Sequence, residues 1–408
     1  MSVHAPSPVA SLYVHVPFCA HKCEYCAFYS EASHGDKINR YVTALVREAE
    51  LVAADLRPRT IFFGGGTPSL LNVRQWQQIL QAMERLELLG AEEWIIECNP
   101  ATVSLDKARL WQRYGVNRIS MGVQSFDEGM LDRLGRIHTR EMVFKSYDIL
   151  RRAGFENINL DLMFAIPGQT MAMWRATLRE AVQLGTEHLS CYEVIYEENT
   201  PLYEQLKAGE FAVDEDLAGA MFDQLIEYAT EAAFVQYEIA NFARDRKVSG
   251  CQLPTADCQS APGNSEIPHL ACHHNINYWR GGQYYGLGPS AAEYVNGVRG
   301  KNWSNTALYC EQLEQGRRAV ESRDELSPLG RAGEIAAFGL RMNAGWPFDV
   351  FRQSTGFDLR REWAPEIDQL VAGGFARVNE ERVQLTPRGL RFADWVAEQF
   401  LREDRLDN

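Results

Sequence analysis

The first half of the chain alternates between short apolar runs and longer stretches whose apolar residues recur every three or four positions. The short runs fall at residues 11–16, 60–63, 94–97, 118–123, 157–163 and 188–194. Runs of four to eight apolar residues bounded by turn residues read as buried strands. The intervening stretches, at about 36–54, 73–86, 106–114, 127–134, 140–153 and 171–184, carry the helical period. In the first of them Asp36 reads as the cap, with Tyr41, Leu45 and Leu51 on the buried side. Six βα units in succession predict a parallel sheet with right-handed crossovers. Six fall short of the eight of a closed barrel. The expected fold class is therefore α/β, a partial (β/α)6 TIM-like barrel, with its chemistry on the loops at the C-terminal strand ends.

Beyond residue 197 the alternation fades. Residues 214–234 predict a helix and 237–241 a strand. Residues 244–268 are rich in Ser, Gly, Pro and Asp and read as an inserted loop. A Gly- and Tyr-rich segment follows to about residue 300, after which the chain turns helical. From about residue 327, a helix near 337–341, an alternating hairpin at 378–385 and a last helix from Thr386 through Trp395 and Phe400 predict a helical, winged-helix-like module. The expected domains are a partial barrel over residues 1–243, an insertion and connecting region over 244–326, and a C-terminal module over 327–408.

At 408 residues and 46% hydrophobic, the chain is long and apolar enough for a barrel plus an appendage. A net charge of −14 argues against a general nucleic-acid binder. No basic segment followed by an apolar run opens the chain and no run of 18 apolar residues occurs. The expectation is no signal peptide, no membrane span and a cytoplasmic location. There, nine cysteines are read as metal ligands or free thiols rather than disulfides.

Three of them organise the reading. Cys19, Cys23 and Cys26 stand at offsets of four and three in a loop after the first strand. Such clusters hold iron–sulfur centres through thiolates. A [4Fe–4S] cube has four irons, so three cysteines leave one open to an exchangeable ligand. Zinc is the competing reading, with His15 or His21 as the fourth ligand. Gly64-Gly65-Gly66-Thr67-Pro68 follows the second strand, either to let backbone N–H groups approach a ligand or as a tight turn. Glu97, at the third strand end, is a ligand or a helix cap. Gln124-Ser125 ends the fourth strand, and Ser125 is a candidate cap. Arg136 faces the site or pairs with Asp132. Asp161 is a charge inside an apolar strand, which is costly unless bound or paired.

Taken together, Tyr13-Val-His-Val-Pro-Phe-Cys19, CxxxCxxC, the GGGTP loop and Gly122-Val-Gln-Ser125 resemble the radical S-adenosylmethionine superfamily. More narrowly they resemble the HemN/HemW family, the oxygen-independent coproporphyrinogen III oxidases and the haem chaperones related to them. The resemblance implies that S-adenosylmethionine chelates the open iron through its amino and carboxylate groups, and that an electron donor serves the cluster. It places Tyr13, Gly65 and Glu97 near this cofactor. It places Tyr25, Gly66, Thr67, Gln124, Arg136 and Asp161 around the site, where the oxidases hold a second S-adenosylmethionine. No residue receives a catalytic role.

Two departures separate the subfamilies. The oxidases carry another cysteine two positions past the third, where this chain has Phe28, and a long N-terminal arm, where only twelve residues precede Tyr13. Both match the HemW-type chaperones. So does His274-Asn275-Ile-Asn-Tyr278-Trp279, which resembles the HNxxYW signature associated with haem. Imidazole is a common axial ligand for haem iron, and His274 is the first candidate and His273 the second. The implied function is a chaperone that binds haem and passes it to acceptor haemoproteins. The alternative is an enzyme that oxidatively decarboxylates two propionates of coproporphyrinogen III. Cys251, Cys258 and Cys272 in the insertion read as free thiols of a solvated loop, with a second metal or redox pair as the competing reading.

Overall fold

The structure, a computed structural model, describes residues 8–32, 35–245 and 267–402. Cys251 and Cys258, with most of the expected insertion, lie outside the described residues. In chain order the elements are β1 (Val9–Val16), α1 (Gly35–Val52), β2 (Leu56–Gly65), α2 (Val73–Arg85), β3 (Glu93–Cys98), α3 (Leu105–Arg113), β4 (Arg118–Gln124), α4 (Glu128–Arg133) and α5 (Arg140–Ala153). There follow β5 (Ile158–Phe164), α6 (Met171–Gln183), β6 (His188–Glu193), α7 (Pro201–Lys207), α8 (Glu215–Glu231), β7 (Phe234–Gln236), β8 (Asn241–Arg244) and α9 (His273–Trp279). The chain then forms β9 (Tyr285–Leu287), β10 (Ala292–Val295), β11 (Val298–Asn302), α10 (Thr306–Glu314), β12 (Val320–Glu325) and α11 (Pro328–Gly339). It divides into two compact units, Met1–Gln224 with Gln283–Asp324, and Leu225–Gly282 with Glu325–Asn408.

In the first unit β1 to β6 are hydrogen-bonded in sequence order, each parallel to the next. These are the six strands of the expected partial barrel. β9 adds a further parallel strand on the free edge of β1. The strands alternate in an unusual sense. One set of side chains (Phe63, Trp94, Ile96, Met121, Leu160) is apolar and fully buried. It meets the helices through aromatic contacts, Phe63 with Trp76 at 5.2 Å and Phe164 with Trp174 at 5.6 Å between ring centroids. The alternate set (Ser11, Thr60, Ser120, Asn159, His188, Ser190) is polar and equally buried. Buried polar groups persist where each finds a partner, and here they bond across strands: Ser11 with Thr60 at 2.5 Å, Asn159 with Ser120 at 2.7 Å, His188 with Asn159 at 2.6 Å.

Glu48 of α1 holds the two chain segments of this unit together. It is completely buried. Its carboxylate accepts from Gly288 N at 2.8 Å, Asn302 Nδ2 at 2.8 Å and Tyr309 Oη at 2.7 Å, with Arg318 Nη2 at 3.6 Å. The second unit contains the β7–β8 hairpin, α9, α11 and a small antiparallel sheet of Trp346–Pro347, Arg382–Leu385 and Ala376–Val378. Its core centres on Trp346, Phe351, Trp363 and Phe400.

Several expected elements differ. Leu51 is 47% exposed, because the buried stripe of α1 runs through Ile38, Tyr41, Val42, Leu45, Ala49 and Val52, a quarter turn away. Asp36 lies within the first turn of α1 rather than before it. The strand expected at 237–241 is a turn between β7 and β8, closed by Glu238 accepting from Ala240 N at 2.9 Å. The segment after residue 284 is largely strand, in pieces too short for a periodic signal. The last helix is two, broken where the Phe392 backbone turns out of the helix and its ring packs edge-on against Phe375.

Replacing Glu48 by Ala strands the donors of Gly288, Asn302 and Tyr309. The variant is expected to lose about 3 kcal/mol of stability in denaturant unfolding, far more than replacement of the exposed Glu50.

Candidate functional site

Each parallel strand ends at the same rim of the barrel, and the expected residues gather there. The cysteine loop leaves β1 and is pinned by backbone bonds. Gly66 N donates to Val16 O and Thr67 N to Phe18 O, both at 2.8 Å, while Glu31 N reaches Pro17 O and Glu24 N reaches Leu134 O. Gly66 has no room for a side chain: a Cβ there would sit 2.6 Å from Val16 O. Gly65 has a φ of +97°, and a Cβ there would run into the His15 ring. The GGGTP glycines therefore serve close approach of β2 to the cysteine loop, whatever else binds.

Each cysteine sulfur receives one donor. Thr67 Oγ1 lies 3.5 Å from Cys19 Sγ, Arg136 Nη1 lies 3.5 Å from Cys23 Sγ, and the Phe28 N–H faces Cys26. Burial raises the Cys26 thiol, partly offset by that N–H. Hydrogen bonds of this kind favour thiolates and tune what they ligate. A cavity opens beside Cys23, lined by His21, Thr67, Asn99, Arg136 and Ile137. Among the described residues no group of three or more His, Cys, Asp or Glu side chains closes around a single ion. A cube whose thiolates bind three different irons does not require one. His15 is not available as a fourth zinc ligand, since Nε2 bonds Tyr29 O and Nδ1 bonds Tyr13 Oη, both at 2.9 Å.

Two carboxylates stand at the mouth of the barrel. Glu97 accepts from Gly65 N at 3.2 Å and is not a helix cap; Asn99 takes that role for the next turn. Burial first, then the charge of Asp161, pushes Glu97 up to about 8. Asp161 is held by Asn159 Nδ2 at 2.7 Å and Ser120 Oγ at 3.2 Å, and burial pushes it up to about 6 against those bonds. A pair of desolvated carboxylates is a receptor for a cation. S-adenosylmethionine carries a sulfonium and an ammonium, so the donor set and the charge both fit the implied cofactor.

The other expected residues complete the rim. Arg136 turns away from Asp132, donating to Gly122 O at 2.6 Å and leaving its buried Nε without a partner. Gln124 has a φ of +65° at a register shift between β4 and β5 and is buried. A non-glycine residue held in this region re-aims its side chain, as strained positions at binding sites do. Ser125 does not cap α4; Asp127 does, accepting from Met130 N. Tyr25 and Tyr13 are both raised, chiefly by burial.

His273 and His274 belong to the other unit, in α9. His273 is exposed and His274 is only 1% exposed. His274 Nε2 lies 2.6 Å from Tyr278 Oη, and burial pushes its imidazole down to about 3, so it is neutral. The sequence reading missed Ser120 and Asn159, which position Asp161. Its signal was present: Asn159 and Asp161 are the two polar residues of β5, two apart and so on one face.

A model of the Radical SAM superfamily matches residues 13–181, and one of the HemN C-terminal domain matches residues 326–392. The chain is 33% identical to the haem chaperone HemW of Escherichia coli, over 97% of this chain and 99% of that one. It is 31% identical to the HemW of Lactococcus lactis, over 97% and 98% of the two chains. Among solved structures, coproporphyrinogen III oxidase (HemN) from Escherichia coli matches with a TM-score of 0.79 at 21% identity, over 98% of this chain and 91% of that one, a likeness of fold.

The raised carboxylates give a pH signature in the cofactor-free protein. A folded pKa above the unfolded value adds stability that is complete below the unfolded pKa and disappears as pH rises through the folded one. Thermal stability is expected to fall from about pH 5 to pH 9 through Glu97 and Asp161, and Glu97→Gln to flatten that fall, overtaking wild type at about pH 9. Parallel melting curves across that range check it.

Proposed function

The chain belongs to the HemW family of haem chaperones within the radical SAM superfamily, and from that premise we propose that it binds haem and passes it to acceptor haemoproteins. Its family implies a [4Fe–4S] cluster and S-adenosylmethionine. Cys19, Cys23 and Cys26 would hold the cluster, and Tyr13, Gly65 and Glu97 would lie against the S-adenosylmethionine bound to its open iron. Tyr25, Gly66, Thr67, Gln124, Arg136 and Asp161 would line the rest of the mouth. When bound, the pair supplies electron transfer and a source of radical chemistry, and an electron donor would serve it. The chain's own residues bind and orient: Thr67 and Arg136 direct donors at sulfur, and Asn159 and Ser120 hold Asp161.

The observation that carries the chaperone reading over the oxidase reading is Phe28. It occupies the position of the oxidases' additional cysteine, and its ring is 68% exposed beside the cluster loop. The HNxxYW segment supports haem as the cargo. Its histidine is neutral, the form that ligates iron, and reaching iron requires Nε2 to exchange Tyr278 for the metal. Among the described residues no helix is long and apolar enough to cross a membrane.

Reduced protein, reconstituted anaerobically, is expected to bind haem and to leave coproporphyrinogen III unchanged in the presence of S-adenosylmethionine. Formation of protoporphyrinogen would overturn the chaperone reading. In spectroscopic haem titration, His274→Ala is expected to shift the Soret band and lower affinity while the cluster absorbance persists. An unchanged spectrum in His274→Ala with a changed one in His273→Ala moves the ligand to His273.

A further inference from the structure

Haem has two features that a binding site must meet, a flat apolar macrocycle and two carboxylates at one edge. Within the second unit, α9 and α11 together present both kinds of partner. Trp279, the last residue of α9, faces Phe338 of α11 with ring centroids 6.4 Å apart and planes 36° from parallel. Phe338 is 43% exposed, an aromatic side chain with an open face. Arg341, three residues on, places its guanidinium carbon 4.9 Å from the Trp279 ring. One helix turn of the C-terminal module therefore brings an aromatic face and a cation to the end of the HNxxYW helix.

Arg341 is only partly satisfied. Nη1 donates to Asp394 Oδ1 at 3.1 Å, and the Asp394 side chain is 89% exposed. Such a solvent-facing pair contributes little and exchanges readily for another carboxylate. Its seat shows where an anion is held. Nε is buried and has no hydrogen-bond partner, and neither has the buried Nε1 of Trp279. Beneath them lies Glu238, 1% exposed, whose carboxylate takes Ala240 N and Asn241 Nδ2 on one oxygen and leaves the other unpartnered near Arg341. A buried carboxylate below keeps the guanidinium oriented. Its planar fork suits a carboxylate from outside.

We propose that Arg341 anchors a propionate of haem whose macrocycle packs on Trp279 and Phe338, so that the C-terminal module supplies one side of the haem site. The proposal rests on the haem-binding reading above. Glu238 acts through Arg341 and is a positioning residue.

The test is a spectroscopic titration of the full-length protein with haem and with haem dimethyl ester, which keeps the macrocycle and iron but has no free carboxylate. Arg341→Gln is expected to bind haem about ten-fold more weakly than wild type and the ester equally well. Phe338→Ser is expected to weaken both ligands, and Asp394→Asn, which removes only the exposed competitor, to hold haem as tightly as wild type or tighter. Arg341→Gln that binds haem like wild type overturns the anchor. So does Arg341→Gln that loses haem and ester equally, since that pattern marks a structural defect. Wild-type protein that binds the ester as tightly as haem overturns the anchor while leaving haem binding intact. Wild-type protein that binds neither overturns the haem reading itself and the anchor with it.

Discussion

Two carboxylates confined to one desolvated barrel mouth set the terms for the rest of the first unit. Burial raises both Glu97 and Asp161, and the charge of Asp161 raises Glu97 further. Without a cation Glu97, pushed up to about 8, remains largely protonated at neutral pH, while Asp161, pushed up to about 6, is largely ionised. Everything around them serves that condition. Asn159 and Ser120 fix Asp161, Gly65 N fixes Glu97, and Arg136 donates to Gly122 O and Cys23 while its charge opposes the rise of Asp161. The polar lining across β4, β5 and β6, unusual for a sheet interior, is thus a hydrogen-bonded support that ends at Asp161.

The barrel was legible because its strands stand out as short apolar runs and its helices as amphipathic stretches; Phe63, Trp94 and Leu160 lie in those runs and are buried. The spacing of Cys19, Cys23 and Cys26 marks the loop as a ligand set and leaves iron–sulfur and zinc readings side by side. Arg136 was not legible, because an arginine three residues after a helix gives no sign of whether it turns to Asp132 or to Cys23; the choice is made by Gly122 O, fourteen residues earlier in the chain. Asn159 is not legible by itself, because only the neighbouring strand shows that it is buried against Ser120. The strands after residue 284 were illegible for a simpler reason: three to six residues cannot display a period.

The second unit is organised by different physics. Its core is aromatic, with Trp346, Phe351, Trp363 and Phe400 packed edge to face or stacked. Both core indoles donate to backbone carbonyls, Trp346 to Ile335 O and Trp363 to Phe400 O. Against that satisfied interior, the unpartnered donors of Trp279 and Arg341 stand out. Beside them lies the unpartnered oxygen of the buried Glu238 carboxylate, whose charge faces Arg341.

Glu48 has a consequence for the order in which the protein can be made. Its partners are Gly288, Asn302, Tyr309 and Arg318, and all of them follow the six strands of the barrel in the chain. Until they are made α1 carries a carboxylate with nothing to receive it, so the helix cannot bury that face. The same late segment supplies Thr306, whose N–H donates to Tyr29 Oη at 2.8 Å just behind Cys26. The cysteine loop thus has its bonds to Gly66, Thr67 and Leu134 available before the one from Thr306. The last of the bonds that hold the loop is therefore set by a segment that follows all of β1 to β6 in the chain.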